Sequence, residues 1–314
     1  MQTIIGVDIG GTKCAVVLGQ AYDGGLSILE KRVFATKDYR LPEQAFEKIA
    51  TEIESLAAGK DVSSIGIVCG GPLDSGMGRI CSPPNLPGWD DVPICEYFQL
   101  RFSIPAILKN DADACALAEW QFGAGRGTEN FVFITFGTGL GAGLILGGRL
   151  YTGKQCMAGE LGHWRMSSHG PVGYGKTGSL EGFCSGGGIA QLIAQKLLEL
   201  RQRGLRHPLM NLTDPPSAKD VFNLARNNDP LCLGIAAEVG RVFGQAAAML
   251  IDLLNPEVIV AGSIFTKAYD LLHPIVKETV KLEALSISAS GCRILPSELG
   301  NSIGDMAALA AALQ

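Results

Sequence analysis

The chain has 314 residues, 47% of them hydrophobic, with 26 basic against 31 acidic side chains and a formal net charge of −5. That length suits two domains of ordinary size with sizeable cores. The lack of any basic run argues against nucleic acid as the main partner, because backbone phosphates are held by clustered Lys and Arg.

Nine cysteines, an odd number without regular spacing, read as reduced thiols of a cytoplasmic protein. The chain starts in a strand with no signal-peptide pattern, no stretch reads as long and apolar enough to span a membrane, and no low-complexity linker interrupts it.

The apolar run Ile4-Ile5-Gly6-Val7 ends in Asp8-Ile9-Gly10-Gly11-Thr12-Lys13, and a second run, Cys14-Ala15-Val16-Val17-Leu18, follows at once. This is strand, glycine turn, strand: a hairpin, not the strand-to-helix turn of a dinucleotide fold. Glycines let the backbone turn tightly and approach a ligand, so Gly10, Gly11 and Thr12 can aim N–H groups at a phosphate. Asp8, at the strand end, is placed to hold Mg2+ through water, since Mg2+ keeps much of its hydration shell.

Residues 42–58 form a helix with Pro42 in its first turn and an apolar face of Ala45, Phe46, Ile49, Ile53, Leu56 and Ala57. A strand at 65–69 runs into Gly70-Gly71-Pro72, and the stretch Ser82-Pro83-Pro84-Asn85-Leu86-Pro87-Gly88-Trp89 is too rich in Pro for helix or inner strand. A short strand at 105–108 ends at Lys109-Asn110-Asp111-Ala112-Asp113, and a helix follows through Ala116, Leu117 and Trp120.

The stretch 134–146 repeats the opening plan: Ile134-Thr135-Phe136, then Gly137-Thr138-Gly139-Leu140-Gly141, then a second strand. Two such hairpins suggest two similar halves, each offering a phosphate loop to one cleft. That arrangement resembles the actin, sugar kinase and heat-shock ATPase fold. A long loop region at about 152–181 calls for a functional reason. Helices are expected at 186–200, 217–226 and 231–254, the last long and Ala-rich. A strand at 256–263 ends in a glycine turn at Gly262 that can receive a nucleoside. A helix at 269–281, a strand at 293–295 and a last helix from 303 complete the chain. Strand and helix alternate, so the class is α/β. The expected division is a small lobe of 1–115 plus 303–314 and a large lobe of 116–302.

Asp111 is the best candidate for activating an acceptor. It stands at a strand end and a helix start, where open α/β sheets place ligands. A carboxylate there can take the proton of an attacking hydroxyl, or it can simply cap the helix. Asp113, in the first turn, reads as a solvated residue complementing the helix dipole. Glu160 and His163, in Gly159-Glu160-Leu161-Gly162-His163, together with Glu181 and the amide of Asn110, make a set that can pair with several hydroxyls of a polyol. Trp89 and Trp120 read as core or edge packing rather than sugar stacking.

These pieces, in this order and spacing, resemble a sugar kinase of the ROK family (repressors, uncharacterised frames and kinases) over essentially the whole length. The resemblance is carried by 8–13, 71–74, 84–89, 110–113, 137–141 and 159–163. It implies an actin-like, ribonuclease H-like two-lobed fold. It implies Asp111 as catalytic base and a sugar site lined by Gly71, Asn85, Asn110, Glu160, His163 and Glu181. It further implies that Gly10, Gly11, Thr12, Lys13, Thr138 and Gly139 meet the ATP phosphates and that Gly262 lies near adenosine.

One departure is clear. ROK kinases commonly carry the zinc pattern Cys-x-Cys-Gly-x-x-Gly-Cys-x-Glu after the histidine, and here Val172, Tyr174 and Ser179 stand where the thiolates would be. Glu181 survives and the metal ligands do not, so no zinc is expected.

The resulting expectation is a cytoplasmic, glucokinase-like enzyme. It transfers the γ-phosphoryl group of Mg-ATP to a hexose hydroxyl, O6 of glucose first, with fructose, mannose and N-acetylated amino sugars open. The family also suggests a homodimer, with no nucleic acid and no membrane as partners. A sugar-responsive repressor would need a DNA-binding domain ahead of Asp8, which only seven residues precede. A catalytically silent sugar-binding protein is disfavoured by intact Asp8 and Asp111.

Overall fold

The computed structural model describes residues 1–39 and 41–314. The chain opens with β1 (Gln2–Ile9), β2 (Lys13–Tyr22) and β3 (Gly25–Ala35), followed by α1 (Pro42–Ala57) and β4 (Val62–Cys69). Two short strands, β5 (Leu73–Asp74) and β6 (Arg79–Ile80), then α2 (Ile94–Phe102), β7 (Ala106–Asn110) and α3 (Asp111–Phe122) come next.

The remainder is β8 (Phe131–Phe136), β9 (Leu140–Leu146), β10 (Arg149–Tyr151), β11 (Val172–Gly173), β12 (Lys176–Thr177), α4 (Leu180–Cys184), α5 (Gly186–Gln202), α6 (Ala218–Arg226) and α7 (Pro230–Leu254). It closes with β13 (Val258–Ala261), α8 (Ile264–Lys267), α9 (Tyr269–Glu283), α10 (Ser286–Gly291), β14 (Arg293–Pro296) and α11 (Ile303–Ala311).

The expected α/β class holds. Among the described residues there are two five-stranded mixed sheets, ordered β3-β2-β1-β4-β7 and β10-β9-β8-β13-β14. By packing, the chain divides into two units: Met1–Gly127, Gly143–Ala158 and Glu298–Gln314 make the first, and Thr128–Ala142 with Gly159–Ser297 the second.

In the first unit β1, β4 and β7 run parallel, while β2 and β3 fold back antiparallel. One face of this sheet buries Ile5, Val7, Val16 and Leu18 against α1 and α2, with Trp89 and Phe98 in the same core. The other face receives α11 through Ile4, Val17 and Leu309. That approach needs glycine: a Cβ on Gly66 would lie 2.2 Å from the Ala308 carbonyl oxygen. β3 was not foreseen, because its side chains are mostly exposed and carry no buried alternation.

In the second unit β13 pairs in parallel with both β8 and β14. Helix α7 starts at Pro230 behind an Asp229 cap and buries Val239, Phe243, Ala247 and Ile251. Among the described residues it is the one helix long and apolar enough to cross a membrane, which corrects the sequence expectation that no stretch is. Its apolar surface is used in packing inside the unit.

The region 152–181 is not featureless. It holds a 3-10 turn at Leu161–His163 and the β11–β12 hairpin, and Glu181 falls inside α4.

Candidate active site

Parallel strands that end level bring short segments from distant parts of the chain side by side. In β1, β4 and β7 the register pairs Asp8 with Val68, Ile9 with Cys69 and Cys69 with Asn110. Asp8, the Gly70-Gly71 turn and Asn110-Asp111 therefore leave neighbouring strand ends. A Cβ on Gly71 would come within 3.3 Å of Asn110 Nδ2, and the Gly71–Pro72 peptide is cis.

Asn110 is the cap of α3, its Oδ1 accepting the Ala112 N–H at 2.9 Å. Asp111 is the first helical residue, and its own Oδ1 accepts the same N–H at 2.8 Å. The Ala112 N–H is thus shared between the two side chains, with Asn110 in the cap position. Asp111 is reachable by solvent at its surface, yet protein matter around it raises its carboxyl pKa, opposed by the backbone N–H groups of Ala112 and Asp111. Asp113 corrects the sequence reading: it is 3% exposed, not solvated.

Asp8 is half-buried. Burial, then the charges of Asp111 and Asp305, push its pKa up to about 6, with Lys13 and Lys31 pulling the other way. Asp305, at the start of α11, was not foreseen. Lys31 on β3 holds it at 2.6 Å.

The first glycine turn is pinned from within and by Thr36, which opens the 3-10 turn just after β3. Gly10 N–H donates to the Lys13 carbonyl at 3.1 Å, Thr36 Oγ1 donates to the Gly10 carbonyl at 2.6 Å, and Thr36 N–H donates to the Thr12 carbonyl at 3.1 Å. Gly11, Thr12 and Lys13 are exposed. Gly11 lies against Asn85, whose carbonyl oxygen would be 2.7 Å from a Cβ there. Asn85 itself is exposed on the Pro-rich loop, which is anchored by buried Leu86 and by Trp89, edge-on to Phe46 at 5.6 Å. The first unit so gathers Asp8, 10–13, Gly71, Asn85, Asn110 and Asp111.

In the second unit the turn between β8 and β9 carries Thr138 and Gly139, both exposed. Gly137 N–H donates to the Gly139 carbonyl at 3.1 Å, and Gly141 N–H to Thr135 Oγ1 at 2.9 Å. Glu181 Oε2 accepts Leu140 N–H at 3.0 Å and would be 3.1 Å from a Cβ on Gly139. Gly159, at φ +90, lies so close to β9 that a Cβ would meet the Ala142 carbonyl oxygen at 1.8 Å. The backbone then lifts into Glu160, which is exposed, and the 3-10 turn ending at half-buried His163. Gly262, at the end of β13, donates its N–H to the Ile134 carbonyl at 3.0 Å.

Two neighbours of the second turn escaped sequence reasoning. Gly186, opening α5, donates its N–H to the Gly137 carbonyl at 2.8 Å. Ser263, exposed at φ +49, has Oγ 3.6 Å from where a Gly137 Cβ would be. A run of glycines opening a helix was the available signal for the first; nothing local marked the second.

Among the described residues one group has metal-ligand character: His207, Asp229 and Cys232. Its polar atoms are already bonded to one another. Asp229 caps α7, accepts Cys232 N–H at 2.9 Å and meets His207 Nε2 at 3.1 Å, while His207 Nδ1 accepts Leu209 N–H at 3.3 Å.

A family model described as the ROK family matches residues 4–314. A glucokinase of Thermotoga maritima is 32% identical over 278 residues, covering 88% of this chain and 86% of that protein. An N-acetylmannosamine kinase of Shigella flexneri is 38% identical over 260 residues, covering 78% of this chain and 86% of that protein. The solved structure of a Streptomyces griseus ROK glucokinase in complex with glucose and AMPPNP is similar with a TM-score of 0.78 at 27% identity, covering 99% of each chain.

Proposed function

The chain belongs to the ROK family, and from that premise we propose that it moves the γ-phosphoryl group of ATP to O6 of glucose, with Asp111 as the catalytic base. It has the actin-like ATPase fold of ROK hexokinases and is a glucokinase-type phosphotransferase. The observation that carries the finer reading is the placement of Asp111. It opens α3 at the end of β7, capped by Asn110 and one strand away from the Gly71 turn.

Phosphoryl transfer has a loose transition state, so positioning and charge dominate over base strength. With Oδ1 of Asp111 tied to Ala112 N–H, Oδ2 meets the sugar hydroxyl and takes its proton as the new O–P bond forms. The pKa of Asp111, raised by burial, makes it a better proton acceptor than an ordinary carboxylate. Gly71, Asn85, Asn110, Glu160, His163 and Glu181 take the role of pairing the sugar's hydroxyls. Gly10, Gly11, Thr12, Lys13, Thr138 and Gly139 meet the ATP phosphates, and Gly262 the adenosine.

The acidic surroundings of Asp8 suit a cation. Its carboxylate shares its neighbourhood with the charges of Asp111 and Asp305, and its raised pKa reflects burial first and that repulsion second. Asp8 would hold Mg2+ through water, and the bound ion supplies charge neutralisation to the phosphates.

A second reading, an N-acetylated hexosamine as acceptor, is favoured by the 38% identity to the N-acetylmannosamine kinase. The test is a coupled ADP assay with glucose, mannose, fructose, N-acetylglucosamine and N-acetylmannosamine. The proposal expects the highest kcat/KM for glucose. A clear preference for N-acetylmannosamine would replace it with the second reading, and no turnover on any of them would refute both.

A further inference from the structure

The residues that stand in place of the family's zinc thiolates do not fit the metal. Val172 has no donor atom. Ser179 is fully buried, and its Oγ accepts Gly182 N–H at 3.1 Å and donates to the Gly173 carbonyl at 3.4 Å. The Cys184 thiol is buried, its pKa pushed up by that burial, and it donates to the Val239 carbonyl at 3.7 Å. The metal-type cluster found among the described residues lies elsewhere, at His207. Tetrahedral zinc needs thiolate or imidazole ligands converging on one point, and none converge here.

The same segment is instead closed by its own backbone. β11 and β12 pair Val172 with Thr177 and Gly173 with Lys176 across a two-residue turn. Tyr174 at φ +44 and Gly175 at φ +74 make it a left-handed hairpin turn. Met166 and Ser167 N–H groups both donate to the Gly178 carbonyl, at 2.9 and 3.1 Å, and Arg165 donates to the Thr177 carbonyl at 2.8 Å. Gln191 of α5 brackets Val172, accepting its N–H at 2.9 Å and donating to its carbonyl at 2.8 Å.

Two features of this hairpin aim at His163. Lys176 Nζ donates to the His163 carbonyl. The Tyr174 ring stands edge-on to the His163 imidazole, centroids 5.1 Å apart at 82°. A bulky side chain at positive φ is uncommon, and Asn or Gly would suit the turn better. Nor does Tyr174 gain core burial in return: it is 65% exposed. What it gains is the contact with His163.

We propose that this metal-free hairpin does for His163 what a zinc site would otherwise do, with Tyr174 as a positioning residue that sets the imidazole for sugar binding. The inference rests on the sugar-kinase reading. Tyr174→Asn is the informative variant, because Asn suits the turn and keeps the hairpin, while Tyr174→Phe keeps the ring.

With wild type active, Tyr174→Asn should raise the KM for sugar about 3–10-fold, the range an aromatic pair is worth, with kcat and the KM for ATP little changed. Tyr174→Phe should restore wild-type values. The chain has four histidines, so imidazole 13C–1H spectra can follow His163 directly. Its signal should move in Tyr174→Asn and hold in Tyr174→Phe. Elemental analysis of protein purified without chelator or histidine tag should find far less than one zinc per chain. Stoichiometric zinc lost together with activity on chelation would overturn the inference, as would an unmoved His163 signal and sugar KM in Tyr174→Asn. Wild type inactive on every hexose would refute the kinase reading itself, and the spectra would still decide whether Tyr174 sets the His163 ring.

Discussion

Glu181 Oε2 accepts the backbone N–H of Leu140 at 3.0 Å. A carboxylate assigned to the sugar therefore also fixes the second glycine turn, where Thr138 and Gly139 are assigned to phosphate. Truncation to Glu181→Ala leaves that N–H without its partner, at a cost of roughly 1–3 kcal/mol. The expected outcome is a raised KM for ATP as well as for sugar, with Glu181→Gln, which keeps an acceptor oxygen, much milder. Steady-state kinetics with both substrates varied checks this. A change confined to the sugar KM would contradict a role in shaping the turn.

Asp111→Asn is nearly isosteric and keeps an oxygen for the Ala112 N–H, but it cannot take a proton. Turnover should fall on the order of 10²–10⁴-fold, with sugar affinity by calorimetry within a few-fold of wild type. Near wild-type kcat would remove Asp111 from the role of base.

Asp8 links activity to stability through its pKa, about 6 in the folded protein against an ordinary 3.8. Between these values the folded state binds more protons than the unfolded one, so this group's contribution to stability falls as pH rises from about 4 to 6 and stays low above. Asp8→Asn should stabilise the ligand-free protein at pH 8 by on the order of 1–2 kcal/mol, after allowance for solvent screening, and the gain should shrink toward pH 4. The same variant should lose Mg2+-dependent turnover. Urea titrations at the two pH values measure the effect, and destabilisation at pH 8 would contradict it.

Gly66→Ala tests the seating of α11. The added Cβ would lie 2.2 Å from the Ala308 carbonyl oxygen and 2.4 Å from Ala312 N. Both are backbone atoms that cannot turn aside. A loss of roughly 1–3 kcal/mol is expected, read from the urea midpoint. An unchanged midpoint would mean that α11 does not pack as described.

What could be read from the sequence was what is local. A glycine turn between two apolar runs, or Asp111 at a strand end, needs only a few consecutive residues. What could not be read depends on distant partners. Asp305 reaches the Asp8 neighbourhood because α11 returns to β1, and Lys31 holds it across 274 positions of sequence. Asp113 looks solvated from its place in the first turn of α3, but that helix is buried on several faces, with Ala112, Ala114, Ala116, Leu117 and Ala118 all inside. Buried Glu119 on the same helix accepts Leu299 N–H at 3.0 Å and Ala124 N–H at 2.9 Å, a tie that no local pattern announces. The β11–β12 hairpin hides for another reason: its strands are two residues long, and its turn carries Tyr174 where Asn or Gly would have signalled it.

The most direct test of the central claim is the product itself. Wild-type protein incubated with Mg-ATP and glucose should yield ADP and a sugar whose phosphorus couples to the two protons on C6 in 31P–1H NMR, and Asp111→Asn should yield almost none in the same time. A phosphate on the anomeric oxygen, ADP without sugar phosphate, or undiminished product from Asp111→Asn would contradict the account.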